Sequence, residues 1–446
     1  MLYRLHTNIF IIGILTIGFM ATKVYDRAFG LMTLCTVIPF ISQLALLLFF
    51  SREEQNDYSD KTLFWTVFVY TFFGCSLYML ISLYYNDDTF MFSKSDAMYY
   101  YNECTTATNL GLFRGFKYII DTSGSDDWGA LMFFTVVMYI APYKLVLNIL
   151  YLFFGALTSV MLYRTGRVFM ADRYAFLAAL AYCTSSYVMF FHCTFLKESL
   201  FVMIVVSVLY FQSYAVAFQS RRFLLLAGLG VVIIFFFRPP VAAFLAASMF
   251  AYYGIKMRGS ALSLFLYVAA VGISAVSVGI ISENLDRYTA GGSVDAMVQE
   301  TNNGAYSGGF NYFVSVFGAF FGPFPSVFSS PGGPSCLELF GAGLTYKLFL
   351  VIPFWYGIYS IFKNKVVEMA PISMFVLIEM LMTGVTMASL ELRKVLVHIP
   401  FALLLSFYGL SNGFIPTKLT RASTMACYLL TIGIMVLWNV IKVKGS

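Results

Sequence analysis

Long, continuous apolar runs separated by short polar connections make up most of this chain of 446 residues. A helix that crosses a membrane needs about 20 apolar residues, whereas a membrane-crossing strand alternates apolar and polar positions. The runs are continuous, so they predict spanning helices. We predict thirteen spans, in a range of about 11–14. They are residues 9–22, 29–50, 63–85, 144–163, 174–191, 199–218, 223–237, 241–255, 260–281, 345–362, 366–389, 395–413 and 422–440.

Two long polar segments, 86–143 and 282–344, interrupt this pattern. Each contains one apolar run, 129–141 in the first and 310–321 in the second, that is too short to cross a membrane. We predict these two runs to be re-entrant or interfacial. No internal repeat and no appended soluble domain is visible, so the whole chain is predicted to form one integral membrane domain.

The composition agrees with the membrane class. The chain is 60% hydrophobic and 11% charged, whereas a soluble domain carries about 25% charged residues. The net charge of +6 is scattered through short connections and forms no basic block. The chain therefore has the lipid bilayer as a predicted partner, and nucleic acid is not expected to be one.

Basic residues in the tight connections predict the orientation, because such connections carry Lys and Arg on the cytoplasmic side. One threading places all of these connections inside. It also places the N-terminus in the cytoplasm and the loops 86–143 and 282–344 outside. The connections are marked by Arg164, Arg167 and Arg173; Arg221 and Arg222; Lys256 and Arg258; Lys363 and Lys365; and Lys418 and Arg421.

The positions of the seven cysteines do not indicate a disulfide framework. Cys75 lies inside an apolar run, where packing is the ordinary role of a cysteine, and Cys193 lies at the edge of a span. Only Cys104 and Cys336 fall in long polar loops on the same predicted side. A bridge between those two is the one that the pattern allows.

Arg238 lies at a tip between two short apolar runs, 223–237 and 241–255, of fifteen residues each. Fifteen residues make about 22 Å of helix, short of the ~30 Å hydrocarbon core. Basic residues hold the other ends at the cytoplasmic surface, so Arg238 is expected below the outer surface. A cation there needs a water-filled cavity or an anionic partner, and an arginine fork suits a phosphate or diphosphate. The alternatives are a structural Arg–carboxylate pair and snorkelling.

Two further tips on the predicted outer side carry charge. Lys197 could add charge for a phosphate and Glu198 could act as a base. Alternatively, Glu198 favours the helix start and Lys197 snorkels outward. Arg393 is either a second phosphate clamp or the anchor of a helix end, and His398 follows one turn later.

Asp96, in the segment 86–143, is the best candidate for the catalytic base. Transfer of a sugar from a phosphate-linked lipid to a hydroxyl requires a base for the acceptor proton and cations for the leaving phosphate. Tyrosines of this segment could stack on sugar faces or serve as interfacial aromatics. The other candidates here are Tyr99, Tyr100, Arg114 and Lys117.

Glu379 lies in the middle of the predicted span 366–389. An ionisable group at that depth indicates a functional site, although a buried polar partner explains it equally well. The chain has no histidine–cysteine metal spacing, no phosphate-cradling glycine loop and no nucleophile elbow, so no cofactor is predicted. Acids from which a divalent metal site could be built are Asp87, Asp88, Asp126 and Asp127.

Several of these motifs resemble known membrane enzymes. Ser95-Asp96-x-x-Tyr99-Tyr100 before a long outer loop, Leu162-Tyr163-Arg164 at a span end, and the run 175–180 resemble the N-terminal half of polyprenyl-linked GT-C glycosyltransferases. In that family an outer-loop aspartate is the catalytic base, which implies that role for Asp96. The chain differs in having two extra spans before the loop, and in having Lys197-Glu198 where such enzymes often carry another acid.

Later segments are similar to Wzy-type polymerases of O-antigen or capsular polysaccharide. The similarity rests on the run 195–200, Arg238-Pro239, the run 322–325, and Leu392-Arg393 ahead of Ile399-Pro400-Phe401. Those enzymes use outward-facing arginines to hold the diphosphate of undecaprenyl-linked saccharides, which implies that role for Arg238 and Arg393. The two resemblances together cover residues 63–412.

The sequence therefore predicts an all-α, polytopic, GT-C-like protein of the bacterial inner membrane. The expected activity is glycosyl transfer or polymerisation of surface polysaccharide from polyprenyl-(di)phosphate-linked sugars at the outer face. The alternatives are a transporter or flippase of lipid-linked saccharides and a non-catalytic subunit of an assembly complex. Transporters tend to show internal repeats and broken helices near the midplane. This chain shows no internal repeat, and its charges cluster at the outer ends of the predicted helices, so the pattern favours the enzyme.

Overall fold

The computed structural model of the protein describes residues 41–51, 58–86, 94–124, 127–256, 318–320, 345–385 and 395–413, with the single residues Leu429 and Gly433. Every regular element within these residues is a helix. The prediction of an all-α protein is thereby confirmed for the part of the chain that is described.

We number the helices in chain order. They are α1 Ile41–Ser51, α2 Asp60–Asn86, α3 Lys94–Asn109, α4 Leu112–Thr122, α5 Trp128–Ile140, α6 Lys144–Arg167, α7 Asp172–Cys183, α8 Ser186–Cys193, α9 Glu198–Ala217, α10 Arg221–Phe235, α11 Pro239–Lys256, α12 Thr345–Asn364, α13 Ala370–Val385 and α14 Ile399–Ser411. A 3₁₀ helix, Val367–Met369, leads directly into α13.

Four helical stretches among the described residues are long and apolar enough to cross a membrane. They are Asp60–Leu80 within α2, α6, α9, and Val367–Gly384, which joins the 3₁₀ helix to α13. These four coincide with the predicted spans 63–85, 144–163, 199–218 and 366–389. The finding supports a helical membrane protein with several spans.

The predicted span 174–191 is broken into α7 and α8, which are bent by 55°. The break follows from two adjacent hydroxyl residues. Thr184 Oγ1 donates a hydrogen bond to Leu180 O (2.6 Å). Ser185 Oγ accepts one from Val188 N (3.2 Å) and so caps the N-terminus of α8. Side-chain hydrogen bonds of this kind compete with the backbone ladder and start a new helix.

Other predicted spans correspond to shorter helices or lie outside the described residues. The span 223–237 corresponds to α10, which has 15 residues, and 395–413 corresponds to α14, which has 13. Pro400 lies in the first turn of α14, a position where its missing N–H costs no helical hydrogen bond. The spans 9–22, 260–281 and 422–440 and most of 29–50 fall outside. The total of thirteen and the threading remain predictions.

The segment 86–143, predicted to be a polar loop around one short apolar run, is mostly helical. It contains α3, α4 and α5. Helix α5 corresponds to the apolar run 129–141 and is shorter than a spanning helix, and its re-entrant or interfacial placement stays a prediction. Gly115 of α4 packs against α3 so closely that a Cβ would lie 2.3 Å from Ala107 O. The charges of α4 lie on its exposed side, while Gly115 and Ile119 are buried, and the placement of the segment 86–143 outside the membrane stays a prediction.

Helices α12 and α14 cross at two glycines. A Cβ at Gly357 would lie 2.3 Å from Leu405 O, and a Cβ at Gly409 would lie 2.2 Å from Pro353 O. Small residues let two helix backbones approach closely, which is a common way for membrane helices to associate.

A disulfide joins Cys75 of α2 to Cys193 at the end of α8, with their Cα atoms 5.1 Å apart. The sequence interpretation, which gave Cys75 a packing role, was wrong because residues 118 positions apart become neighbours only in the fold. Cys104 is instead a buried free thiol, and burial raises its pKa to about 12. Cys336 lies outside the described residues.

Candidate functional site

Two ion pairs lie close together where several helices begin or end. In the first, Lys197 Nζ, at the N-cap of α9, pairs with Asp127 Oδ1, at the N-cap of α5. Tyr100 of α3 donates a hydrogen bond to the same oxygen (2.7 Å). Lys197 is buried, so it does not snorkel outward as one of the sequence alternatives had it.

In the second pair, Arg238 Nη2 lies 3.4 Å from Glu198 Oε1. The Arg238 guanidinium also lies over the ring of Phe201, 5.1 Å from its centroid. Glu198 is 2% exposed, whereas the Arg238 side chain keeps 20% exposure. The pair matches the alternative of an Arg–carboxylate contact, and its cation is the more exposed of the two partners.

Backbone contacts between α5 and the α10–α11 junction set the two pairs side by side. Gly129 N donates to Phe236 O (2.8 Å), which ties the first turn of α5 to the end of α10. A Cβ at Gly129 would lie 2.5 Å from the Phe237 ring, so this approach needs a glycine. Asp127 lies two residues before Gly129, and Arg238 lies two residues after Phe236. Lys197 and Glu198 are adjacent at the start of α9. Lys197 pairs with Asp127 at the start of α5, and Glu198 pairs with Arg238 between α10 and α11.

A third carboxylate faces the same arginine. Glu379 lies in α13 and is 4% exposed, and Arg238 is the charged group that interacts with it electrostatically. Its Oε2 is buried and has no hydrogen-bond partner within the described residues. Arg238 therefore interacts electrostatically with two carboxylates, Glu198 and Glu379, which come from different helices.

His192 and Ser199 continue the cluster towards the centre of the protein. His192 Nδ1 and Ser199 Oγ are 2.9 Å apart, and Ser199 Oγ donates to Phe191 O (2.7 Å). The ring of His192 packs on α6 at Gly155, where a Cβ would lie 2.7 Å from Nε2. We call the set Tyr100, Asp127, His192, Lys197, Glu198, Ser199, Arg238 and Glu379 the buried polar cluster.

Asp96 lies at the edge of the buried polar cluster. It is partly exposed in the first turn of α3, one turn before Tyr100. The pKa of the Tyr100 hydroxyl is raised far above its usual value, first by burial and then by the negative charges of Asp127, Glu198 and Asp96. Tyr100 is buried, so its ring is not offered to a sugar, whereas Tyr99 is exposed.

The remaining predicted candidates are dispersed. Arg114 and Lys117 are exposed on α4. His398 is fully buried at the N-cap of α14. Arg393 lies outside the described residues, although Leu396, three residues later, lines the same cavity as His192 and Glu198.

No group of three or more His, Cys, Asp or Glu side chains in the described part of the chain is arranged to hold a metal ion. Of the four acids considered for such a site, Asp127 is engaged by Lys197 and Tyr100. Asp87, Asp88 and Asp126 lie outside the described residues.

Sequence reasoning missed the partners that complete the cluster. Asp127 was considered only as a metal ligand, and Ser199 was not considered. Asp127 and Lys197 are 70 positions apart, and no local pattern indicates that they meet. The spacing of His192 and Ser199, seven residues across a turn, is a signal that could have been used.

Comparisons of the chain with protein-family models, with curated proteins and with solved structures give no significant match.

Proposed function

We propose that this protein is a membrane glycosyltransferase or polymerase of surface polysaccharide at the outer face of the bacterial inner membrane. Its substrates would be polyprenyl-(di)phosphate-linked sugars. The observation that carries the proposal is the pairing of two buried or half-buried cations, Lys197 and Arg238, with carboxylates from other segments. Such cations can hold a leaving phosphate, and the carboxylates keep them neutralised until a substrate arrives.

Exchange of anions is the central step of this proposal. The contact of 3.4 Å between Arg238 and Glu198 is long for a charge-assisted hydrogen bond. A diphosphate offers a guanidinium two parallel hydrogen bonds, which is a stronger contact. The lipid-linked substrate would therefore displace Glu198 from Arg238. Phe201 holds the guanidinium in place from the other side.

The displaced carboxylate gives the reaction its base. Glu198, freed from Arg238 in a buried site, would accept the proton of the acceptor hydroxyl as that oxygen attacks the sugar. Asp96, at the exposed edge of the cluster, is the second candidate for this role. The two are separable by Glu198→Gln and Asp96→Asn, because only the variant that lacks the base loses the transfer step while it still binds the lipid.

The experiment that tests the proposal uses Arg238→Ala. We expect it to abolish polymer ladders while the amount of protein in the membrane stays the same, because the diphosphate loses its ligand. The matched control is Arg167→Ala. Arg167 also pairs with an acid, Asp172 at 3.1 Å, and lies 5.3 Å from the centroid of an aromatic ring, Tyr163. It lies outside the cluster, so its variant should keep normal ladders. Normal ladders in Arg238→Ala would remove Arg238 from the site.

A transporter of lipid-linked saccharides is the second candidate, and two observations favour it. The span α7–α8 is broken by 55°, and Glu379 is buried within a helix beside Arg238. Broken helices and buried carboxylates are common at the coupling sites of transporters. Purified protein given a polyprenyl-diphosphate oligosaccharide separates the classes. An enzyme makes longer chains unaided, whereas a flippase or a non-catalytic subunit makes none.

A further inference from the structure

Helix α4 holds apolar side chains away from the protein. Phe113 is 86% exposed, more than any other large apolar side chain in the described part of the chain, and Ile120 is 46% exposed. Gly115 and Ile119 of the same helix are buried. Helix α4 is thus packed on the protein along one side and presents apolar groups along another. Contact of these groups with water is unfavourable, so they call for an apolar surrounding.

The exposed surface of α4 divides into an apolar stripe and a charged stripe. Phe113 and Ile120 are seven residues apart, so they lie two turns apart on one face and form the apolar stripe. Phe116, partly buried against the core, lies between this stripe and the buried side of the helix. The charged stripe lies on the other side of the apolar one, and its exposed members follow one another at spacings of three and four residues. They are Arg114, Lys117 and Asp121.

The end of α4 lies where a spanning helix begins. Trp128 Nε1, in the first turn of α5, donates a hydrogen bond to the backbone oxygen of Ser123, which directly follows α4 (3.0 Å). Asp127, one residue before Trp128, pairs with Lys197 at the N-cap of α9. Helix α9 is long and apolar enough to cross a membrane, so its first residues belong at the membrane surface. The end of α4 therefore lies at that level too.

The length of α4 and its stripes indicate that the helix lies parallel to the membrane surface. Its 11 residues make about 16 Å of helix, too short for the ~30 Å hydrocarbon core. The apolar stripe reaches from Phe113 in the first turn to Ile120 in the last. A helix standing on end would leave one of these two side chains in water, whereas a helix lying flat turns both towards the acyl chains.

We propose that α4 binds the lipid surface on the side of the buried polar cluster. Phe113 and Ile120 insert among the acyl chains, and Arg114 and Lys117 contact the lipid phosphates. The charges select this occupant over an apolar protein surface, because a phospholipid layer places anionic phosphates directly beside its hydrocarbon. Lys117 lies at the border of the two stripes, where its apolar stem can follow the acyl chains while its ammonium group reaches the phosphates. The proposal is independent of the proposed function.

Spin labels on single introduced cysteines test this placement in nanodiscs of phosphatidylethanolamine and phosphatidylglycerol. Phe113→Cys and Ile120→Cys report on the apolar stripe. Dissolved oxygen concentrates among acyl chains, whereas a water-soluble nickel chelate stays outside them. We therefore expect the ratio of oxygen accessibility to nickel accessibility to be several-fold higher for these two labels than for labels on the charged stripe. The spin-labelled wild type gives the background from the natural cysteines.

The matched controls are Arg114→Cys and Asp121→Cys. Each follows a position of the apolar stripe by one residue, so the two labels of a pair lie at nearly the same place along the helix and differ in the stripe. All four positions are exposed, so the substitutions should leave the fold intact. Quenching of a Phe113→Trp variant by brominated acyl chains, compared with the wild type, is a second readout that needs no cysteine.

Two results would overturn the inference. Nickel that reaches both stripes equally would place α4 in water. Low accessibility of the apolar stripe to both reagents would show that protein covers it, whether a second copy, another segment of the chain or a different partner. Ladders that survive Arg238→Ala would refute the proposed function and leave the spin-label result standing, so the two failures are distinguishable.

Discussion

At the scale of single residues, burial decides which ion pairs carry energetic weight. The side chains of Lys197 and Asp127 are 7% and 20% exposed, whereas those of Arg164 and Asp60, which also pair, are 46% and 33% exposed. Removing one partner of a buried pair leaves an uncompensated charge and costs about 3–5 kcal/mol, while an exposed pair contributes at most about 1 kcal/mol. The cluster is thus a place where a single substitution has a large effect.

Lys197→Met should destabilise the protein by about 3–5 kcal/mol, because the partly buried Asp127 carboxylate keeps only the hydrogen bond from Tyr100. Unfolding of the purified protein in detergent measures the change. Adding Asp127→Asn should recover part of the loss, since the unpaired charge is then gone.

Arg164→Met is the control for this pair. It removes a long basic side chain from an exposed ion pair, in which Arg164 Nη2 lies 2.6 Å from Asp60 Oδ2. We expect the free energy of unfolding to fall by at most about 1 kcal/mol. Equal losses for Lys197→Met and Arg164→Met would show that the buried pair has no special weight.

At the scale of helices, two glycines determine how closely α12 and α14 cross. The atoms that a Cβ would meet at Gly357 and Gly409 are backbone carbonyl oxygens. A side chain could rotate away, but a carbonyl within a helix moves only with its helix. The whole helix pair must therefore separate to accept a single methyl group.

Gly409→Ala should accordingly destabilise the protein by about 1–3 kcal/mol, the usual cost of overpacking a tight contact. Gly228→Ala on α10 is the matched control, because a Cβ there meets nothing within 4 Å. The control should be neutral or slightly stabilising, since alanine is the better helix former. Thermal unfolding of both variants is the measurement, and a Gly409→Ala protein as stable as the control would contradict the close crossing.

Helices were predictable to very different degrees. Helices α2, α6 and α9 and the stretch 367–384 follow from apolar runs of spanning length, and composition alone suffices for those. The break at Thr184 and Ser185 depends on hydroxyl hydrogen bonds that an apolarity pattern does not register.

The site was predictable only residue by residue. Lys197, Glu198, Arg238 and Glu379 stood out as charges in apolar surroundings. Which of them pair was not predictable, because Arg238 and Glu198 are 40 positions apart and meet only when α10 packs on α9. Charge in an apolar context can be identified in a sequence, whereas pairing is a property of the fold.

At the scale of the whole molecule, the long helices α6 and α9 separate two regions of charge. The buried polar cluster surrounds the first residue of α9. Exposed cations lie where α6 ends, at Arg164 and Arg167, and where α10 begins, at Arg221. A helix of 20 residues such as α9 is about 30 Å long, the thickness of a hydrocarbon core. The cluster and the exposed cations thus fit opposite faces of a membrane.

Labelling of single cysteines tests this orientation. Lys117 on α4 and Arg221 on α10 are both exposed. A membrane-impermeant maleimide should label Lys117→Cys in intact spheroplasts, and it should label Arg221→Cys only after the membrane is opened. The reverse pattern would place the buried polar cluster on the cytoplasmic side and contradict the predicted threading.

The bond between Cys75 and Cys193 has a topological consequence. It closes a covalent ring that contains α3, α4, α5, α6, α7 and α8 in full, together with part of α2. Asp96, Tyr100 and Asp127 lie inside the ring, and Lys197, Glu198 and Arg238 lie outside it. The buried polar cluster thus combines residues from inside the ring with residues that follow it in the chain. A protease cut at any peptide bond between the two cysteines would leave both halves of the cluster in one molecule until a reductant is added.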